Sequence, residues 1–393
     1  MPRNVAIVGT GQTKYTTARN EETYEELIHQ AARIALEDAE LTLKDIDAVV
    51  ISQAPEALFG IDHPERWVVG AAGAIGKPVM RVHTGGATGG SAAQAGFFHV
   101  ASGLFDTVLV VGAEKQGDTP DAQLVLNRIM EPRYELPFGL NAISMTSFQA
   151  VRHMHKYGTT QEQLALVAVR SRRNALNNPY AHIRANHTVA DVMKSRMLCW
   201  PLKLLDCPPR SSGSCAIVMA SEERAKGMGK PVAWVRGVGA TSTTYYMGDK
   251  LSGLPFNEHG DWDELALAAQ HAYKQAGITK PGDEIHVAEI YAPFTICEVA
   301  AKEALGFCEK GQACPLEEKG WWDIDGHLPT NPSGGALASN PIAVTGLARV
   351  AEAALQVMGK AGQRQVDGAG TAVATAIGGT LQFHTVMVVS NRL

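Results

Sequence analysis

Short runs of consecutive apolar residues alternate along this chain with longer stretches in which apolar positions recur every three to four residues. Residues 5–8 are apolar throughout, which predicts a strand covered on both faces. Over 22–39, Leu27, Ile28, Ala31, Ala32, Ile34, Ala35 and Leu36 fall on helical spacing. Residues 47–52 and 77–82 predict two more strands, with a helix over 65–74 between them. A glycine-rich turn follows, Val82-His83-Thr84-Gly85-Gly86-Ala87-Thr88-Gly89-Gly90, leading into a helix over 88–103 and an all-apolar strand over 107–112. Strands with no polar face, separated by helices, predict an α/β fold with parallel or mixed sheets covered on both sides.

The order then recurs. Residues 232–241 match 5–13 in kind, the helical pattern over 262–276 matches 26–41, and 283–291 matches 45–52. A second glycine turn, 332–341, leads into a helix over 344–358, and strands near 371–375 and 385–389 close the pattern. So long a repeat predicts a duplicated domain rather than a solenoid, with halves at 1–230 and 231–393. The stretch 116–205 has no counterpart in the second half. It is polar and rich in Arg and His, and is expected to be an insertion lying over a site.

Composition narrows the function classes. A net charge of -5 with 19% charged residues gives no reason to expect nucleic acid or an anionic membrane as partner. No apolar run is long enough to span a bilayer. The start runs directly into a strand, so a cytoplasmic protein without a signal peptide is expected. Cys199, Cys207, Cys215, Cys297, Cys308 and Cys314 are then expected to be reduced, scattered thiols, and no metal site is expected.

Several motifs carry candidate chemistry. Gly9-x-Gly11 lacks the third glycine of a dinucleotide fingerprint and reads as a structural turn. The turn at 85–90 has two readings: close helix–sheet packing that only glycine allows, or a carbonyl pocket of backbone N–H groups at a helix start. The second is preferred because the duplicated turn at 332–341 would face it. Tyr291, at a strand end before Pro293, either packs with its hydroxyl in water or points into a cleft, where its phenol could donate to an enolate oxygen or, with a lowered pKa, remove a hydroxyl proton. Asn340 either caps the following helix or donates its amide to a carbonyl oxygen. Arg170, Arg172, Arg173, Arg184, His182 and His187 form either a solvated basic face or a phosphate-binding group. Trp321 and Trp322 are read as pocket lining or as surface and interface residues.

Four segments carry a family likeness: Asp206-Cys207-Pro208-Pro209-Arg210-Ser211-Ser212-Gly213-Ser214-Cys215-Ala216, Glu303-Ala304-Leu305-Gly306-Phe307-Cys308, Asn331-Pro332-Ser333-Gly334-Gly335 and Asn340-Pro341-Ile342-Ala343-Val344-Thr345-Gly346. In order and spacing the chain resembles the thiolase superfamily, and within it the sterol-carrier-protein-type branch. The resemblance implies two α/β halves stacked in five layers, α-β-α-β-α, with an inserted loop domain that holds coenzyme A. It places Gly86 where ordinary thiolases have a nucleophilic Cys. Tyr291 and Asn340 stand where they have His, and the final turn at Gly378-Gly379 has no catalytic thiol. A covalent acyl-enzyme on the usual Cys is therefore not expected. The site implied is Tyr291, Asn340, Gly86 and His83, with Gly85, Gly379, Ser333, Arg184 and Arg173 toward coenzyme A. Benzoylsuccinyl-CoA thiolase subunits and steroid side-chain aldolases share such a site, which implies a homodimer with a separate zinc-ribbon/OB-type (DUF35) subunit. Retro-Claisen thiolysis of a β-oxoacyl-CoA, retro-aldol cleavage of a β-hydroxyacyl-CoA and non-catalytic acyl-CoA binding are the three functions compatible with these residues, and thiolysis is preferred.

Overall fold

The structure, a computed structural model, describes residues 3–58, 60–251 and 258–393. Its strands are β1 (Val5–Gln12), β2 (Ala48–Ser52), β3 (Val79–Val82), β4 (Thr107–Lys115), β5 (Met197–Cys199), β6 (Leu202–Lys203), β7 (Ser212–Ser221), β8 (Ala233–Ser242), β9 (Val287–Glu289), β10 (Thr371–Gly378) and β11 (Phe383–Ser390). All but β5 and β6 join one sheet in the order β3-β2-β4-β7-β1-β8-β11-β10-β9. The sheet is two copies of one pattern. In the first, β1, β7 and β4 pair antiparallel, and β2 and β3 continue in parallel. In the second, β8, β11 and β10 pair antiparallel, and β9 continues in parallel. Among the described residues, the strands of the two copies pair at Ala6↔Trp234 and Ile7↔Ala233.

Five layers result. Helix Tyr24–Ala39 covers the outer face of the first half, burying Leu27, Ile28, Ala31, Ala32 and Ala35 against Val8, Ile51 and Leu109. Thr23 and Glu26 close a capping box at its start, satisfying two otherwise orphaned N–H groups. Helices Thr88–Ala101 and Ile342–Val357 lie back to back in the middle layer, against the inner faces of both halves. Helices Asp263–Ala276 and Thr295–Ala304 cover the outer face of the second half.

The duplicated glycines have a steric cause. A Cβ on Gly9 or Gly11 would strike the backbone carbonyls of Ala35 and Ala31 in the covering helix. Gly237 and Gly239 stand in the same relation to Ala272 and Ala268. Each pair lets a helix backbone settle directly on a strand, so Gly9-x-Gly11 is a packing feature.

The pattern over 65–74 yields only a short helix, Pro64–Val68, because Gly73 adopts φ +66 in the turn that follows. The insertion folds as helices Ala122–Asn127, Ala142–Tyr157, Gln161–Ala175 and Val189–Lys194 with the β5–β6 ribbon. Helix Gln161–Ala175 packs on Thr295–Ala304 and Gly335–Ala338 of the second half. Among the described residues, no helix is long and apolar enough to cross a membrane.

Candidate active site

A cavity of about 320 Å³ opens between the insertion and the two halves. The glycine turns Gly85-Gly86 and Gly378-Gly379, Tyr291 after β9, and Asn340 before helix Ile342–Val357 form its polar end. The insertion contributes Leu126, Ile129, Ile143, Met145 and Leu198, and Phe294 and Leu381 add to this apolar wall. The stretch 116–205, expected as an insertion lying over a site, gives the cavity mainly apolar side chains and none of its Arg or His residues.

The glycines of the turn divide between helix packing and cavity lining. Gly89 and Gly90 are packing glycines: a Cβ on Gly89 would strike Leu347 N in helix Ile342–Val357, and one on Gly346 would come within 2.7 Å of Gly90 N. Gly85, at φ +61, and Gly86 face the cavity instead. A Cβ on Gly86 would lie 2.5 Å from Ile377 O and 3.5 Å from the Tyr291 hydroxyl. The turn has closed onto β10 more tightly than any side chain at Gly86 permits.

Tyr291 is buried beside this turn, and its N–H donates to Thr375 Oγ1 at 3.2 Å. Burial raises its phenol well above the ordinary value, against hydrogen bonds from Thr345 and Asn340 that act to lower it. The phenol therefore stays protonated at neutral pH. The Asn340 backbone is held at both ends: its N–H donates to Ser211 Oγ at 3.1 Å and its C=O accepts from Gln116 Nε2 at 2.8 Å. Its side-chain Oδ1 accepts from Thr345 Oγ1 at 3.0 Å. Behind the site, the buried Glu114 at the end of β4 accepts from Ala343 N at 3.0 Å and Lys115 N at 3.1 Å. Burial outweighs these bonds and raises its carboxyl to about 8.

The cavity wall also holds thiols that the spacing of cysteines did not reveal. Cys207 and Cys297 line it, and burial raises both thiols, Cys297 to about 12. Protonated thiols of this kind are poor nucleophiles. His259 is the one lining imidazole among the described residues. Its Nε2 lies 3.0 Å from Met145 O, and burial lowers its pKa. Arg210 is exposed on the wall, the one lining cation among the described residues. Neither Gln116 nor Arg210 was singled out from sequence, although Arg210 lies in a quoted motif.

Other expected residues lie elsewhere. His83 does not line the cavity, and burial lowers its pKa. Arg173 pairs with Asp323 at 2.6 Å, and Arg184 donates to Leu176 O at 2.5 Å. Ser333 is buried against Glu289, 2.7 Å from its carboxylate, and against Arg349. Arg170 is no phosphate ligand: it is buried between Glu317, at 2.6 Å, and Glu298. Arg172 is buried as well, near Cys207 O. His182 reaches the site indirectly, bonding Thr17 and Ser211 at 3.0 Å each, and His187 does not line the cavity. Trp322 is buried with Nε1 donating to Ala313 O, and Trp321 stacks on His327. Neither lines the cavity. Among the described residues no group of His, Cys, Asp and Glu is arranged to hold a metal ion.

Residues 5–189 match the thiolase N-terminal domain, and residues 258–391 the thiolase C-terminal domain-like family. The chain belongs to the thiolase family. It is a thiolase-like enzyme by these matches and by its relatives. It is 36% identical over 380 residues to the acetyl-CoA acetyltransferase of Methanothermobacter thermautotrophicus, covering 96% of this chain and 97% of that one. It is 29% identical to the benzoylsuccinyl-CoA thiolase subunit BbsB of Thauera aromatica, covering 93% and 92%. Among solved structures, the Ltp2-ChsH2(DUF35) aldolase superposes with a TM-score of 0.84 at 29% identity, covering 100% of this chain and 99% of that one.

Proposed function

We propose that this thiolase-family protein cleaves a β-oxoacyl-CoA by direct attack of coenzyme A, with no acyl group carried on the chain. The observation that carries this reading is the protonated Tyr291 phenol beside Gly86, where a cysteine side chain has no room. The coenzyme A sulfur bonds to the β-keto carbon and the bond between the α and β carbons breaks. The electron pair goes to the departing thioester as an enolate. Tyr291 protonates its carbon and recovers a proton originating from the attacking thiol through solvent. The Asn340 amide donates to the developing oxyanion, an interaction worth about 3–4 kcal/mol when preorganised.

The apolar wall suits an uncharged hydrocarbon acyl group. An apolar cavity of about 150 Å³ accepts a benzene ring, so 320 Å³ accommodates a ring-sized group beside the pantetheine end. Arg210 is assigned to the coenzyme A phosphates in place of Arg173 and Arg184. A separate zinc-ribbon/OB-type subunit and a homodimer belong to the same proposal. The name of the aldolase structure, which pairs Ltp2 with a DUF35 chain, supports the first.

A second reading is retro-aldol cleavage of a β-hydroxyacyl-CoA, favoured by that aldolase likeness over the full chain. It requires a base for the hydroxyl proton, and a phenol raised by burial is ill suited to that role. Mass analysis of products from aryl and alkyl β-oxoacyl-CoA with coenzyme A, and from the matching β-hydroxyacyl-CoA alone, separates the two. Each is run with and without a zinc-ribbon partner. Two shortened acyl-CoA products from the β-oxo series support thiolysis. An aldehyde or ketone from the β-hydroxy series overturns it in favour of the aldol reaction, and cleavage of neither overturns both.

A further inference from the structure

Thr345 lies in the first turn of helix Ile342–Val357 with no exposed surface, within a quoted motif that gave it no role of its own. A threonine hydroxyl inside a helix ordinarily bonds the carbonyl four residues back. That carbonyl, Pro341 O, is 2.9 Å away. A second acceptor outside the helix, Asn340 Oδ1, is 3.0 Å away. One hydroxyl hydrogen cannot serve both acceptors, so the way it points decides what the site presents.

We propose that Thr345 is a positioning residue whose buried hydroxyl donates to Asn340 Oδ1, turning the Asn340 amide N–H group toward the substrate oxygen. Asn340 has little other freedom. Ser211 and Gln116 hold its backbone N–H and C=O, leaving only the side-chain torsions, and Thr345 sets those. With Oδ1 occupied, the amide faces the cavity as a donor. A carbonyl or enolate oxygen needs a donor there, and a reversed amide would repel it. The helix start thus delivers an amide donor in fixed polarity, through one hydroxyl. This inference rests on the role given to Asn340 above.

The test reads binding as well as turnover. Thr345→Val keeps the branched shape without the hydroxyl, and Thr345→Ser restores it. A β-oxoacyl-CoA titrated calorimetrically without free coenzyme A has no thiol to attack it and stays intact. Thr345→Val is expected to weaken that ligand about tenfold, the scale of one hydrogen bond, while free coenzyme A and a saturated acyl-CoA bind as before. Thr345→Ser is expected to restore β-oxoacyl-CoA affinity to within about threefold. Equal affinity of parent and Thr345→Val for β-oxoacyl-CoA overturns the proposal, because the hydroxyl then merely closes onto Pro341 O. Failure of Thr345→Ser to rescue overturns it too. If Thr345→Val does not fold, Thr345→Ala takes its place. A parent protein that binds β-oxoacyl-CoA with this Thr345 dependence yet cleaves nothing sinks the thiolysis reading alone.

Discussion

Gly86→Ala is the sharpest test of why this site has no side chain at its centre. The backbone at Gly86 is not in the left-handed region, so conformation alone does not forbid alanine. The obstacle is contact. The new Cβ falls 2.5 Å from Ile377 O and 3.5 Å from the Tyr291 hydroxyl. Ile377 is held in register with His384 of β11, so the turn or the strand has to shift. Overpacking of this kind typically costs about 1–3 kcal/mol. Gly86→Cys carries the same collision and adds a sulfur. It gains no activating base: His83 lies off the cavity and burial disfavours the imidazolium of His259. Both variants are expected to unfold at lower temperature than the parent in calorimetry. Intact-mass analysis after acyl-CoA exposure is expected to show no thioester in Gly86→Cys. Parent-like stability of Gly86→Ala would refute the steric account, and a trapped thioester at position 86 would refute the claim that no cysteine chemistry is left here.

Four further outcomes are expected. Tyr291→Phe should lower kcat for carbon–carbon cleavage by about 10²–10⁴ while coenzyme A affinity, read by calorimetry, stays within a few-fold; near-parental turnover would remove Tyr291 from its role. Arg210→Ala should raise KM for coenzyme A about tenfold with kcat preserved; an unchanged KM would refute its assignment. Glu114 is raised by burial to about 8 in the folded protein from an ordinary 4.5. Its contribution to stability is therefore complete below pH 4.5 and lost as pH rises through about 8. The stability of Glu114→Gln relative to the parent should accordingly climb between pH 5 and 8, measured by denaturant unfolding; a flat difference would contradict this. Arg170→Ala leaves Glu298 and Glu317 short of a buried cation, although Lys302 still pairs with both. It should cost about 3–5 kcal/mol in unfolding experiments; a surface-like loss below about 1 kcal/mol would restore the basic-face reading.

Much of the architecture was legible because it rests on local spacing. Apolar runs gave the strands and helical periodicity gave Tyr24–Ala39 and Ile342–Val357, whereas Gly9-x-Gly11, expected as a turn, lies inside β1 pressed against a helix. Position along the chain sufficed to nominate Tyr291, Asn340 and the Gly85-Gly86 turn, and these do line one cavity.

What sequence could not decide was direction and company. Arg170 and Arg173 are neighbours on one helix, yet one is sealed among carboxylates and the other meets Asp323 at the surface. One turn apart, they lie on nearly the same side of the helix, and only packing says what each meets. Ser333 and Asn340 belong to one duplicated turn, but Ser333 is drawn inward by Glu289 and Arg349, and Asn340 is left facing the cavity. Thr345, Gln116 and Glu114 act on the site through bonds to residues far away in sequence or through a single shared hydrogen. Such contacts have no period and no motif. The chain alone therefore determined where backbone could lie close to backbone, and the tertiary fold decided which polar atoms were left without water and so had to find each other.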